Sequence, residues 1–263
     1  VVGSLASLRS ALNKKRDSDK NVGVIDSDAL GNFADINVAE SLRRISGISV
    51  ENDQGEGRYV TVRGMNADLN AMTINGVSTA SPEDRRGVIL DGVPTDLLES
   101  MTVYKTLTPN LDADTIGGAI DLETISAFSY GSNFVKFKAE TSRNDLTKDS
   151  SNPKLSGTYT TVIPQESGDL GIAFVISSQE RHIMADNNET GGWGSTYVDD
   201  DYEMRYYDLT RERDGIVLNL DYVSNSGSKT YLHAFHNEYV DTEYRAKWEV
   251  RDVMEEYTPT ISG

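Results

Sequence analysis

Apolar and polar residues alternate along five segments in the second half of the chain. Segments 134–141, 170–177 and 216–222 alternate most regularly, whereas 156–163 and 230–239 alternate more weakly. Because successive side chains of a strand point to opposite faces, a period of two gives each segment one apolar face. The pattern therefore predicts a series of antiparallel strands.

The connections between these segments alternate in length. A long polar stretch over 142–154 precedes a short turn over 164–169, and a longer stretch over 185–208 precedes a short turn over 224–228. Transmembrane β-barrels of the outer membrane have short periplasmic turns and long extracellular loops. The smallest of these barrels need about eight strands. We therefore expect the chain to be the N-terminal portion of a larger protein, with its barrel incomplete.

Residues 1–127 follow a different pattern, in which short helices and short strands are mixed. A helix is predicted over 37–44, where Asn37 and Glu40 resemble a capping box, and another over 95–100. Further strands are predicted over 48–50, 59–63, 71–74, 101–105 and 119–124. This mixture is typical of an α+β domain. We therefore divide the chain into domains 1–127 and 128–263.

One stretch of the first domain, residues 57–80, reads as a small hairpin. Strands over 60–63 and 71–74 flank a polar loop, and the second strand runs into Asn75 and Gly76. That residue pair tolerates the positive φ angles of tight turns.

Composition excludes several classes of function. The chain has 42 acidic and 25 basic residues, a net charge of −17, which argues against nucleic acid as a partner. It has no cysteine, so no disulfide or thiolate site is available. The acidic segments 112–118 and 198–203 lack the spacing of a calcium loop, and we interpret them as solvated loops. We expect no metal, no cofactor and no catalysis.

Two long stretches, 37–77 and 96–124, resemble the plug domain of TonB-dependent outer-membrane receptors. They look most similar to the Caulobacter- and Xanthomonas-type subgroup linked to carbohydrate uptake, and residues 1–19 resemble that subgroup's lead-in to the plug. The resemblance implies an α+β plug domain, a small mixed sheet with short helices, inside a 22-stranded barrel. It implies a place in the bacterial outer membrane, with the plug facing the periplasm and the long loops outside. No residues are assigned to a TonB box.

The resemblance also implies a lock between plug and barrel. Arg63 would pair with glutamates of the barrel wall beyond this chain, and Lys105 stands where many relatives have a second arginine. A lysine lacks the bidentate geometry of a guanidinium, so a symmetric two-arginine lock is not expected. Without the resemblance, Arg63 would be a surface ion-pair residue worth roughly 0–1 kcal/mol.

Two loops, 65–70 and 78–86, would be the plug apices that touch the ligand. Their candidate contact residues are Met65, Asn66, Asp68, Asn70, Ser78, Asp84, Arg85 and Arg86. As loops of an isolated domain they would be solvated turns. In the long connection, Trp193 lies among glycines and would stack on a sugar ring.

These features favour active, TonB-coupled import of a bulky solute, an oligosaccharide. One alternative keeps the machinery and imports a ferric siderophore or haem, and another makes the chain a soluble glycan-binding module. The expected partners are TonB with its inner-membrane energising complex, outer-membrane lipid, the ligand and a surface lipoprotein.

Overall fold

The computed structural model describes residues 2–27, 35, 37–109, 111, 115–131, 133–148, 152–190 and 202–250. The helices in this part of the chain are α1 (Val2–Asp17), α2 (Val38–Leu42) and α3 (Ala127–Tyr130). The strands are β1 (Val22–Asp26), β2 (Ile48–Asp53), β3 (Glu56–Val62), β4 (Asn70–Ile74), β5 (Val77–Ser78), β6 (Leu98–Tyr104), β7 (Gly118–Thr124), β8 (Phe134–Ser142), β9 (Asn152–Gln165), β10 (Gly168–Thr190), β11 (Tyr202–Ser224) and β12 (Lys229–Val250).

The N-terminal unit, α1 to β7, is built on a small mixed sheet. Its strands follow the order β1-β6-β7-β4-β5, and β4 pairs with β7 in parallel while the other pairs are antiparallel. Strands β2 and β3 form a separate two-stranded hairpin. The apolar core lies between this hairpin, α2 and the sheet, and includes Val38, Leu42, Val60, Met101 and Leu122. The predicted α+β unit is confirmed.

The prediction of a hairpin within 57–80 is wrong, although its tight turn is correct. Strand β3 pairs with β2, and β4 pairs with β7 and β5. Arg63 and Gly64 both have positive φ and reverse the chain right after β3. Asn75 and Gly76 likewise have φ of 52° and 76°, and they join β4 to β5 as expected. The first reversal therefore separates β3 from β4, and the second joins the paired strands β4 and β5.

The predicted helices are shorter in the structure. Asn37 caps α2, because its side chain accepts a hydrogen bond from the Glu40 amide at 2.9 Å. The side chain of Glu40 accepts a hydrogen bond from the Gly57 amide at 3.2 Å, so it ties α2 to β3. The helix predicted over 95–100 is only a 3₁₀ turn, Thr95–Leu97, because Leu98 already begins β6.

The second half forms an antiparallel sheet of five strands in the order β8-β9-β10-β11-β12, here called the wall sheet. All five predicted strands are confirmed, but β10, β11 and β12 span 23, 23 and 22 residues. The connection predicted over 185–208 is shorter in the structure. Residues 185–190 continue β10, and residues 202–208 belong to β11.

The wall sheet has two different faces. On one face, here called the inner face, side chains such as Ala173, Val175 and Val217 are fully buried and pack with Leu97 and Ile125 of the N-terminal unit. The opposite face, here called the outer face, exposes large apolar side chains, among them Val135, Phe137, Tyr159, Phe174, Ile176, Ile216 and Leu218. In the described part of the chain, no helix is long and apolar enough to cross a membrane.

Candidate functional site

A buried carboxylate of the N-terminal unit, Glu56, is held by three arginines of the wall sheet. Its Oε2 accepts hydrogen bonds from Arg211 Nη1 at 2.8 Å and from Arg213 Nη2 at 2.5 Å, and its Oε1 contacts Arg181 Nη1. Glu56 is 4% exposed, and Arg211 and Arg213 are 0% exposed. Hydrogen bonds to charged groups that are removed from water are the stronger ones, so this cluster joins the two units firmly.

The hairpin turn between β2 and β3 positions Glu56 next to the wall sheet. Gln54 and Gly55 have φ of 49° and 84°, which closes the turn and leaves Glu56 as the first residue of β3. The side-chain oxygen of Gln54, Oε1, accepts a hydrogen bond from Arg211 Nη2 at 2.6 Å. A Cβ atom on Gly55 would lie only 3.7 Å from a methyl carbon of Ile183, so the turn touches the wall sheet directly.

The wall and a neighbouring loop complete the surroundings of the arginines. Asp241 Oδ2 accepts a hydrogen bond from Arg211 Nε at 3.2 Å, and the Asp91 carbonyl oxygen accepts one from Arg213 Nε at 2.5 Å. The Arg213 guanidinium carbon lies 5.4 Å from the centre of the Tyr239 ring, within cation–π range. Among the described residues, Arg213 Nη1 and Asp91 Oδ1 are buried without a hydrogen-bond partner.

The pKa values of two carboxyl groups near this cluster, those of Glu56 and Asp91, are shifted in opposite directions. Burial alone would raise the pKa of Glu56, but the charges of Arg213, Arg181 and Arg211 outweigh burial and lower that pKa below its usual value. Burial raises the pKa of Asp91, because the nearby arginines only partly offset its loss of solvation. Glu56 is therefore ionised in the folded protein over a wide pH range.

A second carboxylate of the N-terminal unit contacts the same face of the wall sheet, at strands β8 and β9. Asp96, in the 3₁₀ turn, is 5% exposed and lies 2.5 Å from Lys154 Nζ and 3.3 Å from Lys138 Nζ. Burial would raise the pKa of Asp96, but the two lysines lower it. The same arrangement therefore occurs twice, with the acid on the N-terminal unit and the base on the wall.

Neutral contacts fill the space near the ends of the strands. Asn219 Nδ2 donates to Thr124 Oγ1 at 2.7 Å and to the Ile125 carbonyl oxygen at 2.9 Å. A Cβ atom on Gly215 would lie 2.5 Å from Leu97 Cδ1, so this close approach of wall and unit requires a glycine. The interface thus combines ionic, polar and apolar contacts.

The two predicted lock residues contact the N-terminal unit itself. Arg63 is exposed, and its Nη2 donates to the Gly117 carbonyl oxygen at 3.1 Å. Lys105 is 8% exposed, and its Nζ donates to Ser46 Oγ at 3.4 Å. Burial lowers the pKa of Lys105, and the charges of Lys15 and Arg63 lower it further. Pairing of Arg63 and Lys105 with glutamates of the wall stays a prediction.

The structure brings some of the predicted apex residues together. Arg85 Nε donates to Asp68 Oδ1 at 3.0 Å, and the same oxygen accepts the Gly87 amide at 2.8 Å. The Arg85 guanidinium carbon lies 4.0 Å from the centre of the Tyr59 ring. The Asn66 side chain accepts the Asp68 amide at 2.9 Å. These groups order the two loops against each other.

The other predicted ligand residues are not part of the Arg85–Asp68 contact. Asn70 Nδ2 donates to the Val60 carbonyl oxygen at 3.0 Å, and Met65 is half-buried. Ser78, Asp84 and Arg86 are exposed. Trp193 lies outside the described residues. No three His, Cys, Asp or Glu side chains within the described residues are grouped closely enough to bind a metal ion.

Sequence reasoning missed Glu56, Asp96 and their wall partners. A usable signal existed in β11, because Arg211, Arg213 and Asn219 share the period-two phase of the buried Val217. Charged residues on the buried face of a strand require partners. The phase could have identified these side chains as interface residues, but it could not identify Glu56 as the partner.

One family model matches part of the chain. Residues 14–119 match the family model described as TonB-dependent Receptor Plug Domain. No curated protein matches the chain.

Several solved structures are similar to the chain. The siderophore receptor PirA from Acinetobacter baumannii is 13% identical with a TM-score of 0.48, and the match covers 90% of this chain and 45% of that one. The ferripyoverdine receptor from Pseudomonas aeruginosa is 10% identical with a TM-score of 0.49, over 84% of this chain and 34% of that one. The hemophore receptor HasR from Serratia marcescens, solved with its hemophore HasA and heme, is 16% identical with a TM-score of 0.47, over 89% and 41%.

This chain therefore spans less than half the length of each of these receptors. The family match covers residues 14–119, which are fewer than half of the 263 residues. In this region the N-terminal unit has the mixed sheet and short helices of a plug domain, and an antiparallel sheet of five strands follows it along the chain.

Proposed function

We propose that the chain is part of a TonB-dependent transporter that imports a bulky solute across the bacterial outer membrane. The observation that carries the proposal is the docking of a plug domain, residues 14–119, on the inner face of the wall sheet through Glu56. A plug fixed to the wall blocks the lumen of a barrel, and import then requires its displacement. No covalent chemistry is needed.

The outer face of the wall sheet fits a lipid environment. Its large apolar side chains are exposed in bands along neighbouring strands, with Phe174 and Ile176 on β10 beside Ile216 and Leu218 on β11. Exposed apolar surface of this extent is unfavourable in water and favourable against acyl chains. In the proposal this face contacts outer-membrane lipid and the opposite face holds the plug.

The plug offers a mechanical route for TonB. Helix α1 packs on β1, which is the edge strand of the plug sheet and pairs only with β6 within the described residues. TonB, driven by the inner-membrane proton gradient, would pull on the chain at its N-terminal side and displace part of the plug. The plug would face the periplasm and the long loops the exterior.

We propose an oligosaccharide as the solute, on the sequence resemblance to carbohydrate-uptake receptors. In this proposal the apex residues, from Met65 to Arg86, and Trp193 contact the solute, Arg63 and Lys105 contribute to the lock, and a surface lipoprotein assists. A ferric siderophore or haem is the second candidate, since the similar receptors of known structure are named for such ligands.

Uptake in the presence and absence of TonB tests the proposal. Cells that produce the full-length protein receive labelled oligosaccharide, ferric siderophore or haem in parallel, and an isogenic strain lacking TonB is the control. We expect TonB-dependent uptake of the oligosaccharide. Undiminished uptake without TonB contradicts the mechanism. If only the ferric siderophore or haem is taken up in a TonB-dependent way, that compound and not an oligosaccharide is the solute.

Fractionation tests the alternative of a soluble glycan-binding module. We expect the protein in the detergent-solubilised outer membrane, with heat-modifiable mobility on a denaturing gel. Recovery as a soluble monomer would exclude the transporter.

A further inference from the structure

The wall sheet places three positive charges side by side before any contribution from the plug. Arg181 of β10 and Arg211 of β11 are direct cross-strand partners, and Arg213 is two residues further along the same face of β11. Like charges directly opposite each other destabilise a pair of strands. The three adjacent positive charges of the wall sheet therefore favour the binding of an anion between them.

The wall supplies too little negative charge to balance these arginines. Asp241, the cross-strand partner of Arg211, accepts a hydrogen bond from Arg211 Nε at 3.2 Å, and among the described residues it is the wall carboxylate that contacts one of the three guanidiniums. The neighbouring Glu243 contacts Gln54 of the plug. Without Glu56, three guanidiniums share one bound carboxylate, which leaves a positive excess in a buried place.

Donor capacity also remains unused when Glu56 is bound. Arg213 is fully buried, and its Nη1 has no hydrogen-bond partner among the described residues. Guanidiniums bind carboxylate and other oxyanions through two parallel donors. The site therefore offers an oxyanion one donor, Arg213 Nη1, beyond those that Glu56 uses.

The anion and its site belong to parts of the protein that can separate. The arginines lie within β10 and β11, which are continuously paired along their whole lengths. Glu56 lies at the start of β3, in a two-stranded hairpin that pairs with neither of the two large sheets. Movement of that hairpin removes the carboxylate and leaves the arginines in place on the wall.

We propose that Arg181, Arg211 and Arg213 form an anion-binding site on the inner wall, which Glu56 occupies while the plug is docked and an anionic group of the solute occupies during passage. This inference rests on the proposed function and makes it more specific. The imported solute carries a carboxylate or another oxyanion, as an acidic oligosaccharide does, and Glu56 is an internal substitute for that group.

The absence of cysteine from these 263 residues allows a direct electrostatic test. Gln179 is the cross-strand partner of Arg213 and is buried, so Gln179→Cys in the full-length protein is a reporter beside the site. Thr160→Cys is the matched control, because Thr160 is buried on the same face of the wall sheet, beside Ala173 rather than the arginines. Labelling rates are measured with two methanethiosulfonates, one bearing a sulfonate and the other a trimethylammonium group.

We expect labelling of both cysteines to be faster in cells with TonB than in cells without it. In cells with TonB, the ratio of the sulfonate rate to the trimethylammonium rate should be on the order of tenfold higher at Gln179→Cys than at Thr160→Cys. Arg213→Gln should reduce that ratio. Arg181→Gln, at a partly exposed position, is a second variant in case Arg213→Gln prevents folding.

The outcomes separate this inference from the proposed function. A TonB-dependent rise with equal ratios at the two cysteines overturns the anion site and leaves the transporter intact. A ratio that Arg181→Gln and Arg213→Gln leave unchanged also overturns it. If TonB accelerates labelling at neither position, displacement of the plug is contradicted, and the anion site falls with it.

Discussion

Arg213 Nη2 donates to Glu56 Oε2 at 2.5 Å and joins two residues that are 157 positions apart in the chain. In this contact the base lies on the wall, whereas the lock implied by the resemblance, which stays a prediction, would place the arginine Arg63 on the plug and its glutamates on the wall. Here the plug provides the acid, and the same holds for Asp96 with Lys154. Glu56 begins β3 directly after a tight turn, and Asp96 lies in a 3₁₀ turn, so short segments of chain determine how the plug docks.

Removal of the Glu56 charge should destabilise the docked plug strongly. Glu56→Gln leaves buried guanidiniums without their carboxylate, and we expect the free energy of unfolding to fall by about 3–5 kcal/mol. Urea titration of the full-length protein measures this. Glu51→Gln, an exposed acid on the same hairpin, is the control, with an expected change below about 1 kcal/mol. Equal effects of the two substitutions would contradict the account.

The stabilisation by Glu56 should depend on pH in a defined direction. Because the folded protein lowers the pKa of Glu56 below 4.5, its contribution is complete above that value and is lost as the pH falls through the folded pKa. The difference in unfolding free energy between wild type and Glu56→Gln should therefore be constant near neutral pH and shrink in acid. Urea titrations across the acidic range check this.

Asp91 should behave in the opposite way, because burial raises its pKa. A raised carboxyl pKa means that the folded state binds the proton more tightly, so the wild type gains stability relative to Asp91→Asn as the pH falls through the folded pKa. The same titrations, applied to Asp91→Asn, measure the difference. A wild type that loses stability relative to this variant in acid would contradict the assignment.

The Asp96 contact should be a second, independent anchor. Asp96→Asn leaves the buried Lys154 without its carboxylate, and we expect a loss of about 3 kcal/mol in unfolding free energy. Glu140→Gln removes the exposed partner of Lys138 and should cost less than about 1 kcal/mol. Because Asp96 and Glu56 share none of their basic partners, their effects in the double variant should be nearly additive.

The apex loops should loosen when Arg85 is removed. Arg85→Ala eliminates the contacts with Asp68 and the Tyr59 ring, so amide exchange at Gly87 should accelerate by roughly threefold to tenfold. Hydrogen exchange followed by mass spectrometry measures it, with the exposed Asp84→Asn as the control. Unchanged exchange at Gly87 would show that Arg85 does not order the loop.

Local patterns predicted the elements of the fold because those patterns have local causes. Alternation identified the wall strands, the Asn37 cap located the start of α2, and Asn75 with Gly76 marked a turn whose φ angles few other residues adopt. The pairing of β3 with β2 was not evident, because the Arg63 turn that separates β3 from β4 resembled the end of a strand.

The strand ends and the ionic contacts depend on distant parts of the chain. The ends of β10 and β11 continue past the apolar band with charged and polar side chains, which resemble a loop in the sequence. Glu56 has no local feature that separates it from the other acidic residues. Its role follows only from the wall arginines, which lie more than a hundred residues further along the chain.

The most direct test of the account is a reversible tether between plug and wall. A Cβ atom on Gly92 would lie 3.3 Å from Tyr239 Cβ, slightly closer than the usual disulfide spacing, so Gly92→Cys with Tyr239→Cys should cross-link after a small adjustment. Uptake of labelled oligosaccharide is then measured in cells with TonB, before and after reduction. We predict that the oxidised tether abolishes uptake and that reduction restores it, whereas full uptake with the cross-link complete would contradict displacement of the plug.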